Sequence, residues 1–232
     1  MESLETELER ARTLNTSALA DAIESIGFEC TRCGACCKGY EPDDGDGAET
    51  DGVDTAEREP HTATVFPDEV RDLQTAVDYD WRDVARPMPY GLSEGDDGPA
   101  GETFEWALQT DDCGDCTFYE ESDDGTGHCG VHEDRPLICQ TYPFSVGLGG
   151  TSQPMGEAVD EAGNVRAHEC EGLGRDISRA EAEDLADALK QRAIREITEA
   201  IGVRDSYKPV DRDGVVVYDS EGPKQVDGRP IE

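Results

Sequence analysis

The sequence predicts an α+β fold, a small cysteine-rich domain with short strands that is stabilised by metal and flanked by helices at both ends of the chain. Apolar residues at helical spacing mark the two ends, short alternating segments mark the middle, and nine cysteines are concentrated between them. At 232 residues the chain is long enough to bury a core.

An N-terminal helical segment is predicted at 1–27. Leucine, isoleucine and alanine recur there every three or four residues, which is typical of two amphipathic helices. A cap is expected near Asn15, and Gly27 is expected to end the second helix.

A cysteine-cluster domain is predicted at 28–175, with an acidic, solvated insertion at about 41–60. Its expected elements are strands at 62–66, 103–108, 116–119 and 144–148, a helix at 67–77, a turn at 123–125 and one or two helical turns at 135–139. In the strand at 103–108, Phe104, Trp106 and Leu108 alternate with Thr103 and Glu105, which predicts one buried face.

The C-terminal part begins with a helix at 176–202. Ser178 and Glu181 form a capping box, and an apolar stripe continues to Ile201. An acidic tail is predicted at 203–232, with one short strand at 215–218.

The first cysteine loop carries Cys30, Cys33, Cys36 and Cys37. Thiolates separated by two residues can converge on one point, and this spacing serves both zinc and iron–sulfur centres. Adjacent residues project differently, so Cys36 and Cys37 need not bind the same centre.

The remaining cysteines leave alternatives open. Cys113, Cys116, Cys129 and His132 form a C-x2-C-x12-C-x2-H pattern that could hold tetrahedral zinc, unless Cys113 is an accidental neighbour and His132 a surface residue. Arg135, four residues before Cys139, could offset thiolate charge or pair with Glu133 or Asp134.

The combined pattern resembles the YkgJ family of CxxCxxCC-domain cysteine-cluster proteins, which are described as zinc- or iron-chelating. It reads F-x-C-x2-C-x2-C-C, then C-x-F-Y, then C-x-V-H-x2-R-P-x2-C-x2-Y-P-F, then C-x-G, over about 28–172. The resemblance implies eight ligand cysteines and leaves Cys113 outside the pattern. They are Cys30, Cys33, Cys36, Cys37, Cys116, Cys129, Cys139 and Cys170. The implied cofactor is an iron–sulfur cluster, expected to be [4Fe-4S], or Zn2+.

The net charge of -35 is spread along the whole chain. Such a charge is similar to that of haloarchaeal proteins, which fold in molar salt that screens self-repulsion. It argues against a nucleic-acid partner, because phosphate binding needs a basic stripe. No apolar stretch is long enough to span a membrane, and no signal peptide is visible, so a cytoplasmic location is expected.

Three function classes follow. The first is a redox or electron-transfer protein with an iron–sulfur centre and an unknown protein or redox partner. The second is a zinc-binding module for metal storage, delivery or structure, without catalysis. The third is an enzyme such as an iron–sulfur oxidoreductase, although no catalytic residue can be named, because no serine or histidine falls in a recognised nucleophile motif.

Overall fold

The structure is a computed structural model, and it describes residues 2–40, 58–95, 98–148, 156–160 and 163–231. Within these ranges the fold is mixed helix and sheet, which confirms the predicted α+β class. The helices are α1 (Leu4–Arg12), α2 (Thr16–Ile26), α3 (Pro67–Val77), α4 (Trp81–Val84), α5 (Leu137–Thr141) and α6 (Arg179–Ser206), with a 3-10 helix at His132–Asp134. In the same parts of the chain, no helix has both the length and the apolar character that crossing a membrane requires.

The strands are short and form four sheets. They are β1 (Thr64–Val65), β2 (Ala85–Pro87), β3 (Leu92–Gly95), β4 (Gly98–Phe104), β5 (Trp106–Leu108), β6 (Tyr119–Glu121), β7 (Gly127–Cys129), β8 (Phe144–Val146), β9 (Glu157–Ala158), β10 (Val165–Ala167), β11 (Val215–Asp219) and β12 (Gly222–Lys224). The sheet orders are β1-β5-β2, β8-β10-β9, β12-β11-β4-β3 and β6-β7.

The predicted helix ends are confirmed by their caps. The Asn15 side chain accepts hydrogen bonds from two backbone N–H groups at the start of α2, and Gly27, at a φ of 75°, ends that helix. Ser178 and Glu181 form the predicted capping box of α6, which continues past its predicted end to Ser206.

The first hydrophobic cluster lies where α6 packs against α1, α2 and α5. We call it the helical cluster. Strands β8 and β10 close one side of it, and the rings of Phe28 and Phe144 meet edge to face with centroids 5.7 Å apart. The chain leaves α2 at this point, so the helical cluster fixes where the first cysteine loop begins.

The second hydrophobic cluster, the sheet cluster, lies between sheet β1-β5-β2 and helices α3 and α4. Trp106 on the central strand β5 is fully buried and meets Trp81 edge to face, with ring centroids 5.0 Å apart. Cys116 is part of this cluster, and Cys37, Cys129 and Cys139 pack against it.

The segment at 203–232 contributes to the core. The predicted strand at 215–218 is β11, which pairs in parallel with β4 and antiparallel with β12. Val217 lies in the sheet cluster, and the Trp106 Nε1–H group donates to Asp219 across 2.9 Å. These contacts hold the C-terminal segment against the body of the protein.

The single strand predicted at 103–108 is wrong. Glu105 has a φ of 81°, in the left-handed region, and it divides the segment into β4 and β5. The expected alternation is therefore interrupted. Thr103 is buried, whereas Phe104 is 48% exposed and packs on the rings of Tyr207 and Tyr218.

The strand predicted at 116–119 is also wrong, since Tyr119 begins β6 and Cys116 makes only an isolated bridge with Thr110. The reason is that the Cys116 N–H group donates to the carbonyl of Cys37, which removes it from any regular ladder. The predicted turn at 123–125 is confirmed between β6 and β7. Of the predicted acidic insertion at 41–60, residues 41–57 lie outside the described residues.

Candidate metal centre

The first cysteine loop, residues 30–37, is held in an irregular path by its backbone. The N–H groups of Cys37 and Lys38 both donate to the Gly34 carbonyl, which closes a turn that follows Cys33 and contains Cys36. Gly34 adopts a φ of +77°, and a Cβ there would lie 2.2 Å from the hydroxyl oxygen of Tyr119. The turn therefore requires glycine for both its conformation and the close approach of the tyrosine ring.

Three backbone hydrogen bonds attach this loop to the other cysteine-bearing segments. Glu29 N–H donates to Gly172, Gly127 N–H donates to Arg32, and Cys116 N–H donates to Cys37 across 2.7 Å. Each of these bonds involves a cysteine or lies two residues from one. Cys170 precedes Gly172 by two residues, Cys129 follows Gly127 by two, and Cys116 makes the third bond itself. The loop is therefore the point where segments distant in sequence meet.

Four cysteines lie against the sheet cluster, and we call them the inner group: Cys37, Cys116, Cys129 and Cys139. Burial, with smaller effects from the charges of Cys129 and Cys36, raises the pKa of the Cys116 thiol to about 11. Burial also raises the pKa of Cys139, with added effects from the charges of Cys116, Cys36 and Cys129. These thiols are thus close enough to oppose one another's ionisation.

The other four cysteines of the family-type pattern form a more exposed set, which we call the outer group: Cys30, Cys33, Cys36 and Cys170. Burial raises the pKa of Cys170, and the charges of Cys33, Cys36 and Cys30 raise it further. Tyr142 borders this group, since burial and the charges of Cys170, Cys36 and Cys33 raise the pKa of its phenol. Its hydroxyl donates to the Glu169 carbonyl, one residue before Cys170.

Cys36 and Cys37 connect the two groups. Their sulfur atoms are 3.8 Å apart, and this contact lowers the pKa of Cys36 and raises that of Cys37. A tetrahedral ion with Zn–S bonds of about 2.3 Å holds two sulfurs about 3.8 Å apart. The pair is therefore compatible with one shared ion or with two neighbouring centres.

Arg135 carries positive charge to both groups, because it lowers the pKa of Cys36 and of Cys139. Its Nε–H group donates to the His132 carbonyl across 3.0 Å. Among the described residues it forms no ion pair with Glu133 or Asp134, which removes the alternative left open by the sequence. Its charge is thus available to the thiols.

Cys113 and His132 lie differently from the eight cysteines. Cys113 is exposed, and its N–H group donates to the Asp111 carboxylate. His132 is 54% exposed, with its ring nitrogen 3.2 Å from Glu133. The described structure thus provides no support for a C-x2-C-x12-C-x2-H site.

Two residues that border the loop, Lys38 and Glu121, were not proposed for the site from the sequence. The Lys38 ammonium forms an ion pair with Glu121 and lies 5.3 Å from the centroid of the Tyr119 ring. The Tyr119 hydroxyl donates to Glu121 across 2.6 Å. Lys38 directly follows Cys37, the last cysteine of the run, and this position is the one feature of the sequence that could have pointed to it.

Metal fits the chemistry of these donors. Within the described ranges, no three His, Cys, Asp or Glu side chains already surround a point that could hold an ion. The eight donors are nevertheless all thiols, the ligand type that zinc and iron–sulfur centres prefer. All nine cysteines are free, and the raised pKa values of the buried thiols are the effect that a bound cation would reverse.

Comparisons with known proteins identify the family. A family model named CxxCxxCC and described as a "putative zinc- or iron-chelating domain" matches residues 29–171, more than half of the chain. No curated protein and no solved structure matches. The matched range begins just before Cys30 and ends just after Cys170, so it encloses all eight thiols. The chain belongs to the CxxCxxCC family of metal-chelating domains.

Proposed function

We propose that the protein is an iron–sulfur electron-transfer protein with a second, structural metal ion. The outer group would hold the cluster, and the inner group would hold zinc. The observation that carries this proposal is that two groups of four thiols meet at one loop, and only one of them packs against the sheet cluster.

The inner group supports a structural role. Its thiols lie among apolar side chains, where an ionised sulfur without a cation is strongly disfavoured. An ion bound there would link the first loop, the segment before β6, strand β7 and helix α5. Four-cysteine zinc sites stabilise small domains in this way, because binding free energy becomes folding free energy.

The outer group supports a redox role. Cys30, Cys33 and Cys36 have C-x2-C-x2-C spacing, and Cys170 supplies a fourth thiol from a distant segment. Bacterial ferredoxins ligate a [4Fe-4S] cluster with three cysteines of such a run and one remote cysteine. Cys30 and Cys36 are exposed, so a cluster here would lie close enough to the surface to exchange electrons with a partner.

A zinc-only protein for storage or delivery is the second candidate. It is favoured by the 3.8 Å separation of the Cys36 and Cys37 sulfurs, which matches two ligands on one tetrahedral ion. In that case Cys36→Ser and Cys37→Ser would lower the same metal. In the two-centre arrangement they would lower different metals.

The test is metal and acid-labile sulfide analysis of protein purified without oxygen and in high salt. We expect iron and sulfide in similar amounts together with zinc. Cys33→Ser should lower iron and sulfide but retain zinc, and Cys129→Ser should lower zinc. Zinc without sulfide would select the second candidate, and the absence of stoichiometric iron and zinc would contradict both.

A further inference from the structure

An open cleft of about 570 Å³ lies between helix α3 and the segment that contains α5. This volume falls in the range of small-molecule sites. Charged and polar side chains of both walls line it, including Glu69, Asp72, Thr75, Asp134, Arg135 and Gln140.

The walls of the cleft are tied together. Glu69 and Asp72 lie three residues apart on one face of α3. The Glu69 carboxylate accepts hydrogen bonds from the N–H groups of Phe66 and Leu137, across 3.0 and 2.8 Å. One half-buried carboxylate therefore holds the start of α3 against the start of α5, and the cleft exists before any ligand arrives.

The charges that face the cleft do not neutralise one another. Arg135 has no carboxylate within ion-pair distance in the described ranges, although two acids precede it in sequence. Asp72 and Asp134 have no basic partner in the same ranges. The bond from Arg135 Nε–H to the His132 carbonyl limits the freedom of the guanidinium. A fixed cation and two carboxylates thus line one space without pairing, beside the Glu69 carboxylate that backbone N–H groups already satisfy.

We infer that this cleft binds a small zwitterion of the size of an amino acid or dipeptide, with its carboxylate on Arg135 and its ammonium group on Asp72 and Asp134. A guanidinium accommodates a carboxylate through two parallel hydrogen bonds, and carboxylates pair with an ammonium group. A ligand with one charge satisfies only one side of the cleft.

The cleft also adjoins the cysteine groups. The positive charge of Arg135 acts on the sulfurs of Cys36 and Cys139, and a ligand carboxylate bound to Arg135 would offset it. This link rests on the proposed function, and it predicts that the visible spectrum of the metal-loaded protein changes when the zwitterion binds.

The test is calorimetric titration of the metal-loaded protein with glycine and glycylglycine, at the lowest KCl concentration that keeps it folded. Acetate and methylammonium are the ligands with one charge. We expect one of the zwitterions to bind at least about tenfold more tightly than acetate or methylammonium does. This factor corresponds to the gain from one added charge-assisted contact. Arg135→Gln should reduce that affinity to the methylammonium level. Asp72→Asn should weaken binding, and Asp72→Asn combined with Asp134→Asn should reduce the affinity to the acetate level.

Arg82→Gln is the matched control, because Arg82 is an exposed arginine on α4 and is not among the residues that line the cleft. If Arg135→Gln fails to fold, Asp72→Asn still tests the inference. Metal-loaded protein that binds neither zwitterion, or binds one equally well with Arg135→Gln, would overturn it. Protein that binds a zwitterion but contains no metal would instead overturn the proposed function alone.

Discussion

Gly34→Ala should damage the first cysteine loop in two separable ways. The alanine must adopt a left-handed φ of +77°, which costs about 1–2 kcal/mol for a residue with a Cβ. Its Cβ would also stand 2.2 Å from the Tyr119 hydroxyl oxygen, 2.5 Å from Cζ and 2.7 Å from Cε2. Moving a packed ring out of the way costs about a further 1–3 kcal/mol.

Gly125→Ala isolates the first effect. Gly125 has a φ of +81° in the turn between β6 and β7, and a Cβ there meets nothing within 4 Å. We therefore expect Gly34→Ala to lower the free energy of unfolding by about 1–3 kcal/mol more than Gly125→Ala does. For a chain of this length, each kcal/mol lowers the melting temperature by about 2–4 °C.

The assay is thermal unfolding in high KCl together with metal analysis of each variant. Gly34→Ala should also bind less metal, because the turn that sets Cys33 and Cys36 is displaced, whereas Gly125→Ala should bind the wild-type amount. Adding Tyr119→Ala to Gly34→Ala should remove the extra cost, as a double-mutant cycle would measure. Equal melting temperatures and equal metal contents for the two glycine variants would refute this reasoning.

Three further predictions concern metal, salt and pH. Elemental analysis should show that Cys113→Ser retains its metal and that Cys116→Ser does not. Equal losses of metal would instead favour the C-x2-C-x12-C-x2-H site. Chelation should lower the melting temperature both at about 0.1 M and at several molar KCl, where the Debye length is about 10 Å and below about 3 Å. Since the net charge is -35, the apo protein should need more salt to fold than the metal-bound protein. An apo protein that is as stable as the metal-bound protein in dilute buffer would contradict this. Burial and the Arg86 charge lower the pKa of His61 from 6.5 to about 4, so its contribution to stability is complete above about pH 6.5 and is lost as pH falls towards 4. His61→Gln should therefore flatten the dependence of stability on pH in that window, and a variant with the wild-type dependence would contradict this assignment.

The helices could be predicted because their signals are local. Asn15 caps α2, and Ser178 with Glu181 caps α6, within three residues of the groups that they bind. The break between β4 and β5 could not be predicted in the same way. Glu105 takes a left-handed conformation that its residue type does not favour, while the chain around it is fixed by β11, more than a hundred residues later.

The eight cysteines of the candidate centre could be listed from spacing and family resemblance, but their division into inner and outer groups could not. That division depends on the hydrogen bonds of Cys37 with Cys116 and of Glu29 with Gly172, which join segments about 80 and 140 residues apart. The free charge of Arg135 likewise depends on tertiary structure, because the sequence alone allows it to pair with either neighbouring acid.

The long interval between α2 and α6 has a consequence for how the protein is made. Helix α2 ends at Ile26, and α6, which covers the helical cluster, begins at Arg179. During synthesis the first cysteine loop emerges early, whereas its partner at Gly127 follows only past the middle of the 232 residues and its partner at Gly172 later still. The thiols of the nascent chain therefore lack their partner segments for most of translation. Metal binding becomes a late event. It depends on a cell that keeps those thiols reduced until the ribosome releases the chain.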